Sequence, residues 1–238
     1  MSGLGCKHCG SGSYVRNGMA HGRQRYRRKA CGRSFAATPP RGKPPAMKAL
    51  AGLLYALGNV SQGMIAKLLG VSHVAVYKWV RKAGEAAPAP SATPSSGIVQ
   101  IDEMWHFVNG KKTRFGSGGP LTLVARRTLA WELGGRDDAT CRRLLDRIGI
   151  EGRVFLTDDG EGFHRPIPEA QLFTGKDLTF PIEQDNSDVR HHLARFRRRS
   201  KVTSRARHMV DGALRLLCHL RRPENFLPMR DSFLSIFG

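Results

Sequence analysis

Three acidic residues end short apolar runs in an otherwise strongly basic chain. They are Asp102 in Val99-Gln-Ile-Asp-Glu-Met-Trp105, Asp158 in Val154-Phe-Leu-Thr-Asp-Asp-Gly160, and Glu183 in Phe180-Pro-Ile-Glu-Gln-Asp-Asn186. Carboxylates are scarce, 19 Asp plus Glu against 39 Lys plus Arg, so acids at the ends of buried elements call for a chemical reason. Holding divalent metal against a nucleic-acid phosphate is one. Two ions held roughly 4 Å apart clamp a scissile phosphate, one activating the attacking oxygen and the other stabilising the leaving oxygen. Magnesium, or manganese in its place, suits an all-oxygen donor set that keeps positions open for water and phosphate.

The charge balance names the partner. A formal net charge of +20 and a pI near 10.7, spread along the chain, point to a polyanionic partner such as nucleic acid. A membrane partner is not expected, because no apolar run reaches the roughly 18 residues of a spanning helix. The first residues also lack a signal-peptide layout. Five cysteines with one close pair fit a reducing compartment, here the cytoplasm, better than a disulfide scaffold. A hydrophobic content of 40% supports folded cores.

The acids need elements to position them, and the pattern from residue 98 onward supplies these. Residues 98–108 read as a strand, 111–120 as a Gly-rich hairpin connection, and 121–126 and 128–133 as two more strands. An amphipathic helix follows over 138–148, then short buried strands at 153–157 and 178–182, and a long helix over 183–199. Strands in meander, a helix, two further strands and a helix predict an α/β fold: a ribonuclease-H-like mixed sheet with flanking helices. In it Asp102 lies along the first strand, Asp158 at the tip of the fourth, and Glu183 on a helix beside them. Ile182, Val189, Leu193 and Phe196 form that helix's apolar stripe, while Glu183, Asn186 and Arg190 form another. Glu103 alternates to the opposite strand face and reads as structural. Cys141 and Cys218 read as packing residues. Arg195 and Arg197, within the arginine-rich stretch 195–207, offer a phosphate-tracking surface.

Two proline-rich breaks, at 36–45 and 84–97, set off two smaller modules. The expected division is a zinc-ribbon-like module at 1–37, a helix–turn–helix at 43–84, a linker at 85–97, the catalytic domain at 98–222 and a tail at 223–238. In the first module Cys6, Cys9 and Cys31 could bind zinc, with His8 or His21 as a fourth ligand. Arg28 stands where the third cysteine of a ribbon belongs, so a knuckle that folds without metal is the alternative. In the second, Ile65, Leu69, Val71, Val76 and Trp79 fall at helix–turn–helix spacing, Ala66 permits close approach and Gly70 opens the turn. Ser72 caps the second helix, which turns His73, Ala75, Lys78 and Arg81 towards a major groove, making Ser72, His73, Lys78 and Arg81 the expected DNA contacts.

The set Asp102-Glu-Met-Trp105, Thr157-Asp158 and Ile182-Glu183-x-x-Asn186, followed by Arg190-His-His-Leu-Ala-Arg195, resembles the insertion-sequence-one family of DDE transposases. Twenty-four residues separate Asp158 from Glu183, and Arg190 follows Glu183 by seven, as in that family. The resemblance implies that Asp102, Asp158 and Glu183 ligate two magnesium ions and that Arg190 contacts DNA near the cut. The implied reaction is hydrolysis at transposon 3′ ends, then attack of the freed 3′-OH on target DNA. It also implies terminal inverted repeats and target DNA as partners, a homodimer or larger synaptic assembly, and a cytoplasmic, nucleoid-associated setting in a prokaryote. The chain departs from the family at Arg28, at Asp159, where glycine is usual, and at Asp185, where the family is more basic. Two other functions compete: a transposase-derived repressor that only binds DNA, and a metal-dependent nuclease. The three acids argue against the first and the appended helix–turn–helix against the second.

Overall fold

A computed structural model of the chain describes residues 8–9, 11–20, 22–36, 42–90, 97–108, 111–122, 125–126, 128–135, 137–158, 161–196, 204–235 and 237. Two compact units result, Met1–Lys43 and Pro44–Gly238. Among the described residues no helix is long and apolar enough to cross a membrane.

The first unit is a three-stranded antiparallel sheet of β1 (Tyr14–Ala20), β2 (Arg23–Arg28) and β3 (Ser34–Ala36). Alternation puts Tyr14, Tyr26 and Phe35 together, with ring centroids 5.2 to 5.7 Å apart. Arg28 is 3% exposed. Its guanidinium lies 4.1 Å from the Phe35 ring centroid, and its Nη1 donates to the Ser11 carbonyl at 3.0 Å. The residue in the third-cysteine position therefore packs as an aromatic-stacked cation.

In the second unit α1 (Pro45–Ala56), α2 (Gln62–Leu68) and α3 (His73–Ala86) come first. Ser61 and Ser72 cap α2 and α3, their hydroxyls accepting from the Met64 and Ala75 amides at 3.2 Å. Gly70 takes φ +59° in the turn between them, and Ile65 and Val76 are fully buried. The tether read from residue 84 begins later. Gly84 to Ala86 complete α3, because Gly84 is buried against Gly212 rather than left in solvent.

The sheet follows. β4 (Gly97–Val108) and β5 (Lys111–Thr122) form an antiparallel hairpin paired from Val99↔Pro120 to Val108↔Lys111. Residues 111–120 are thus a strand, not a connection, since pairing with β4 overrides the low strand propensity of their glycines. The expected strand at 121–126 is a two-residue β6 (Ala125–Arg126) folding back on the end of β5. β7 (Ala130–Gly134) pairs with β5, then α4 (Asp138–Ile148) crosses to β8 (Arg153–Thr157), which lies parallel to β4. α5 (Glu161–His164) leads to β9 (Leu172–Thr174), parallel to β8. The strand expected at 178–182 does not form. Pro181 instead opens α6 (Phe180–His192), a position where its missing N–H costs nothing. That helix stops at His192 and does not reach 199. Strand order β5-β4-β8-β9, with β6 and β7 on β5, makes a mixed α/β sheet consistent with a ribonuclease-H-like core.

Two apolar cores cover the sheet. On one face α4 packs Cys141, Leu144, Leu145 and Ile148 against Val99, Ile101 and Phe155. On the other, Met104 and Val108 meet Val189, Leu193 and Phe196, and this cluster runs on into α1–α3. α7 (Arg207–Leu220) belongs to that second core through Met209, Val210, Leu214 and Leu217. α8 (Pro223–Leu234) packs on α1, with Met229 beside Gly52. Residues 223–234, where the sequence carries no functional signal, thus form a helix joined to the same body.

Candidate active site

The register of the sheet brings the two aspartates together. Ile101 pairs with Thr157 across the parallel β4–β8 ladder, so Asp102 and Asp158 are the next residues on neighbouring strands. Glu183 enters from the first turn of α6, which rests on the same side of β4 as Asp102. Asp102 is half-buried and its carboxyl is pushed up to about 6. Burial is the main cause, and the negative charges of Asp158 and Glu183 add to it. Asp158 and Glu183 therefore both lie near enough to Asp102 for their charges to act on its carboxyl.

Two hydrogen bonds oppose that push. The Glu103 amide donates to Asp102 Oδ1 at 2.6 Å, and Asn186 Nδ2 donates to Oδ2 at 2.7 Å. Asn186 is 2% exposed on α6, one turn after Glu183, while Glu183 itself is exposed. Thr179, 1% exposed, sets its Oγ1 3.0 Å from the Lys176 carbonyl and 3.4 Å from Glu183 Oε1. On β4, buried Gln100 donates to the Leu178 carbonyl just ahead of α6. The roles of Gln100, Thr179 and Asn186 escape sequence reading. Asn186 falls on the Glu183 stripe, but nothing in its spacing says that it reaches across to a strand.

Hard carboxylate oxygens from three acids, two of whose charges act on the third, are a donor set whose chemistry suits Mg²⁺ or Mn²⁺. As the side chains stand, no group of three His, Cys, Asp or Glu among the described residues is arranged to hold a metal ion. Asp159 lies outside the described residues. Asp185, the second departure from the family pattern in this region, faces away from the acids. It pairs with Arg221 Nη1 at 2.5 Å and accepts from Thr128 Oγ1 at 2.8 Å, tying α6 to the end of α7. Glu103 turns to the opposite face, where its charge adds to the burial that pushes the Cys141 thiol up to about 11.

The basic residues divide. Arg190 is half-buried in the last turn of α6. Arg195 is half-buried, its guanidinium 5.6 Å from the Tyr55 ring and 3.4 Å from Ser204 Oγ, so it faces inward partners rather than solvent. Arg197 lies outside the described residues. His192 uses Nδ1 on the Leu57 carbonyl at 3.0 Å, a structural bond to the α1–α2 loop. On α3, Ser72, His73, Lys78 and Arg81 are exposed, with Ser72 engaged as the cap and Arg81 3.5 Å from Glu85. In the first unit Cys9 is exposed and Cys31 half-buried, while Cys6 and His21 lie outside the described residues.

Comparison with known proteins puts this mixed sheet in a class, the DDE transposases. The chain belongs to the IS1 transposase family, whose family model matches residues 97–219, just over half of its length. It is 32% identical over 110 residues to the insertion element iso-IS1n protein InsB of Shigella dysenteriae, covering 46% of this chain and 84% of that protein. To the insertion element IS1 protein InsB of Shigella flexneri it is 27% identical over 117 residues, covering 49% and 89%. Among solved structures, a chain of the simian T-cell lymphotropic virus intasome in complex with PP2A regulatory subunit B56 gamma overlays with a TM-score of 0.31 and 14% identity. That overlay covers 58% of this chain and 57% of the other, so the chain spans little more than half of that structure.

Proposed function

We propose that this protein binds transposon ends and catalyses metal-dependent strand cleavage followed by 3′-OH strand transfer into target DNA. Family membership supports the reaction class, and one observation carries the reading. Asp158, just after β8, and Glu183, in the first turn of α6, are far apart in sequence, yet both add their charge to the Asp102 carboxyl on β4. Asp102, Asp158 and Glu183 would hold two Mg²⁺ or Mn²⁺ ions. When bound, these supply Lewis-acid stabilisation of the charge developing on the phosphate oxygens.

The chain's own residues do the rest. Asn186 and the Glu103 amide hold the Asp102 carboxylate in one rotamer, so its direction is set before substrate arrives. Arg190 offers a cation to the phosphate flanking the cut, and His73, Lys78 and Arg81 grip the duplex from the exposed face of α3. In the first step water attacks phosphorus, the bond from phosphorus to the 3′-oxygen breaks, and a 3′-OH is released. In the second that hydroxyl attacks a target phosphate, forming a new ester as the target's 3′-oxygen leaves. Neither step needs a covalent protein intermediate. Two ends must be handled together, so the working form is a homodimer or larger assembly on DNA.

The test is a supercoiled-plasmid assay with end-containing DNA and magnesium. Joined products are expected. Cleavage without joining would assign a nuclease instead, and retarded mobility with no cut strand would assign a repressor.

A further inference from the structure

We propose that Gln100 and Asn186 are a pair of positioning residues that set the separation of the Asp102 and Glu183 carboxylates. The inference rests on reading these acids as the metal-binding set.

Gln100 and Asp102 are two residues apart on β4 and so share the sheet face that α6 covers. Gln100, 3% exposed, sends its amide outward from the strand to the Leu178 carbonyl, at the end of the turn that delivers the chain into α6. Asn186, 2% exposed, sends its amide the other way, from α6 back to Asp102 Oδ2 at 2.7 Å. One bond runs from strand side chain to helix approach and the other from helix side chain to strand carboxylate. Glu183 lies between the two anchor points in sequence, one turn before Asn186 and five residues after Leu178. Sliding α6 along β4, or turning it about its axis, breaks both bonds and strands buried polar groups, so the helix has one register on the strand.

The chemistry of the amide suits this work. A lysine or arginine at 186 would hold Asp102 equally well, but would cancel the charge that a cation needs. An amide donates one N–H and leaves the carboxylate anionic. A carboxylate offers about four lone-pair sites. The bonds from Glu103 and Asn186 use one on each oxygen, leaving the others for an ion.

The test uses the full chain. Mn²⁺ binding is measured by electron paramagnetic resonance with the metal alone, and plasmid nicking is measured as separate kcat and KM for DNA. Asn186→Ala and Gln100→Ala are each expected to weaken Mn²⁺ binding about tenfold and to lower kcat at least tenfold, with KM for DNA within twofold. Because both side chains hold one register, the double variant should lose little more than the worse single. Should Asn186→Ala fail to fold, Asn186→Leu fills the same space without an amide and carries the same expectation. Folded variants that bind Mn²⁺ like the wild type, or a double variant whose losses multiply, overturn the pair. Glu183→Gln separates the two ideas. If it abolishes Mn²⁺ binding while the amide variants do not, the pair fails and the metal site stands. If the wild type binds no Mn²⁺, the metal site itself is overturned, and the pair with it.

Discussion

Gly84 of α3 and Gly212 of α7 cross with no side chain between them, and their roles are unequal. A Cβ on Gly84 would come 2.6 Å from the Gly212 carbonyl oxygen and 2.8 Å from its Cα, inside any real contact distance. A Cβ on Gly212 would sit 3.6 Å from Gly84 Cα, in ordinary van der Waals contact. This crossing fastens the capped helix pair to the α7 side of the second core.

Opposite outcomes are therefore expected from one chemical change. Gly84→Ala forces backbone apart and should cost about 1–3 kcal/mol, a drop of several degrees in melting temperature. Gly212→Ala should be neutral or gain up to about 1 kcal/mol from helix propensity. Thermal melts of the two variants decide the matter, and equal losses would contradict the geometry.

Asp102 carries a cost that its removal should reveal. Its folded-state pKa, about 6, lies above the ordinary 3.8 of an aspartate, so the folded protein binds this proton more tightly than the unfolded chain does. Ionised Asp102 consequently opposes folding above pH 6, and the penalty fades as pH falls from 6 to about 4. In metal-free protein at pH 7.5, Asp102→Asn should melt higher, by roughly 2 kcal/mol after screening, while nicking falls by more than about a hundredfold. The stability gain should shrink towards pH 4. A variant no more stable than wild type at pH 7.5 would mean that burial and the neighbouring acids do not penalise the Asp102 carboxylate.

Acid acts on His106 in the reverse direction. Its ring is 5% exposed, 4.5 Å from the Phe196 ring, with Nε2 2.9 Å from Ser204 Oγ. Burial first, then the nearby Arg195 charge, lowers its pKa from 6.5 to about 4. A base depressed in the folded state gives stability that is complete above pH 6.5 and is lost as pH falls towards 4. On full protonation the loss is on the order of 3 kcal/mol. Melting temperature against pH should lose much of its acid limb in His106→Asn, and an unchanged limb would assign the acid sensitivity elsewhere.

Local chemistry was legible where it agreed with the fold. The helix Asp138–Ile148 matches its periodicity, with Asp137 capping the Thr140 amide at 2.8 Å and Gly149 ending the helix at φ +81°. The strand Arg153–Thr157 is readable in the same way. What failed was decided by partners distant along the chain. Gly116, Gly118 and Gly119 read as a loop until β4 pairs with them, and Gly84 reads as linker until Gly212 meets it. Phe180-Pro-Ile has a strand's composition, yet Pro181 starts a helix. Asn186 shows the limit within the site, because its bond to Asp102 spans 84 positions.

The exposed face of α3 yields the last prediction, in which neighbouring cations should behave differently. Lys78 is exposed, and as a phosphate contact its loss should weaken DNA binding to a similar degree across sequences. The log–log salt slope should become shallower by about 0.9. Arg81 is 3.5 Å from Glu85, both of them exposed, so part of its charge is already compensated and Arg81→Ala should change the slope less. His73 begins the helix, where a groove-binding helix meets base edges, so His73→Ala should alter which ends are preferred, by about 1–3 kcal/mol at one position. Binding titrations at several salt concentrations, on end-containing and unrelated DNA, separate these effects. A Lys78→Ala protein with an unchanged slope would remove α3 from the DNA interface.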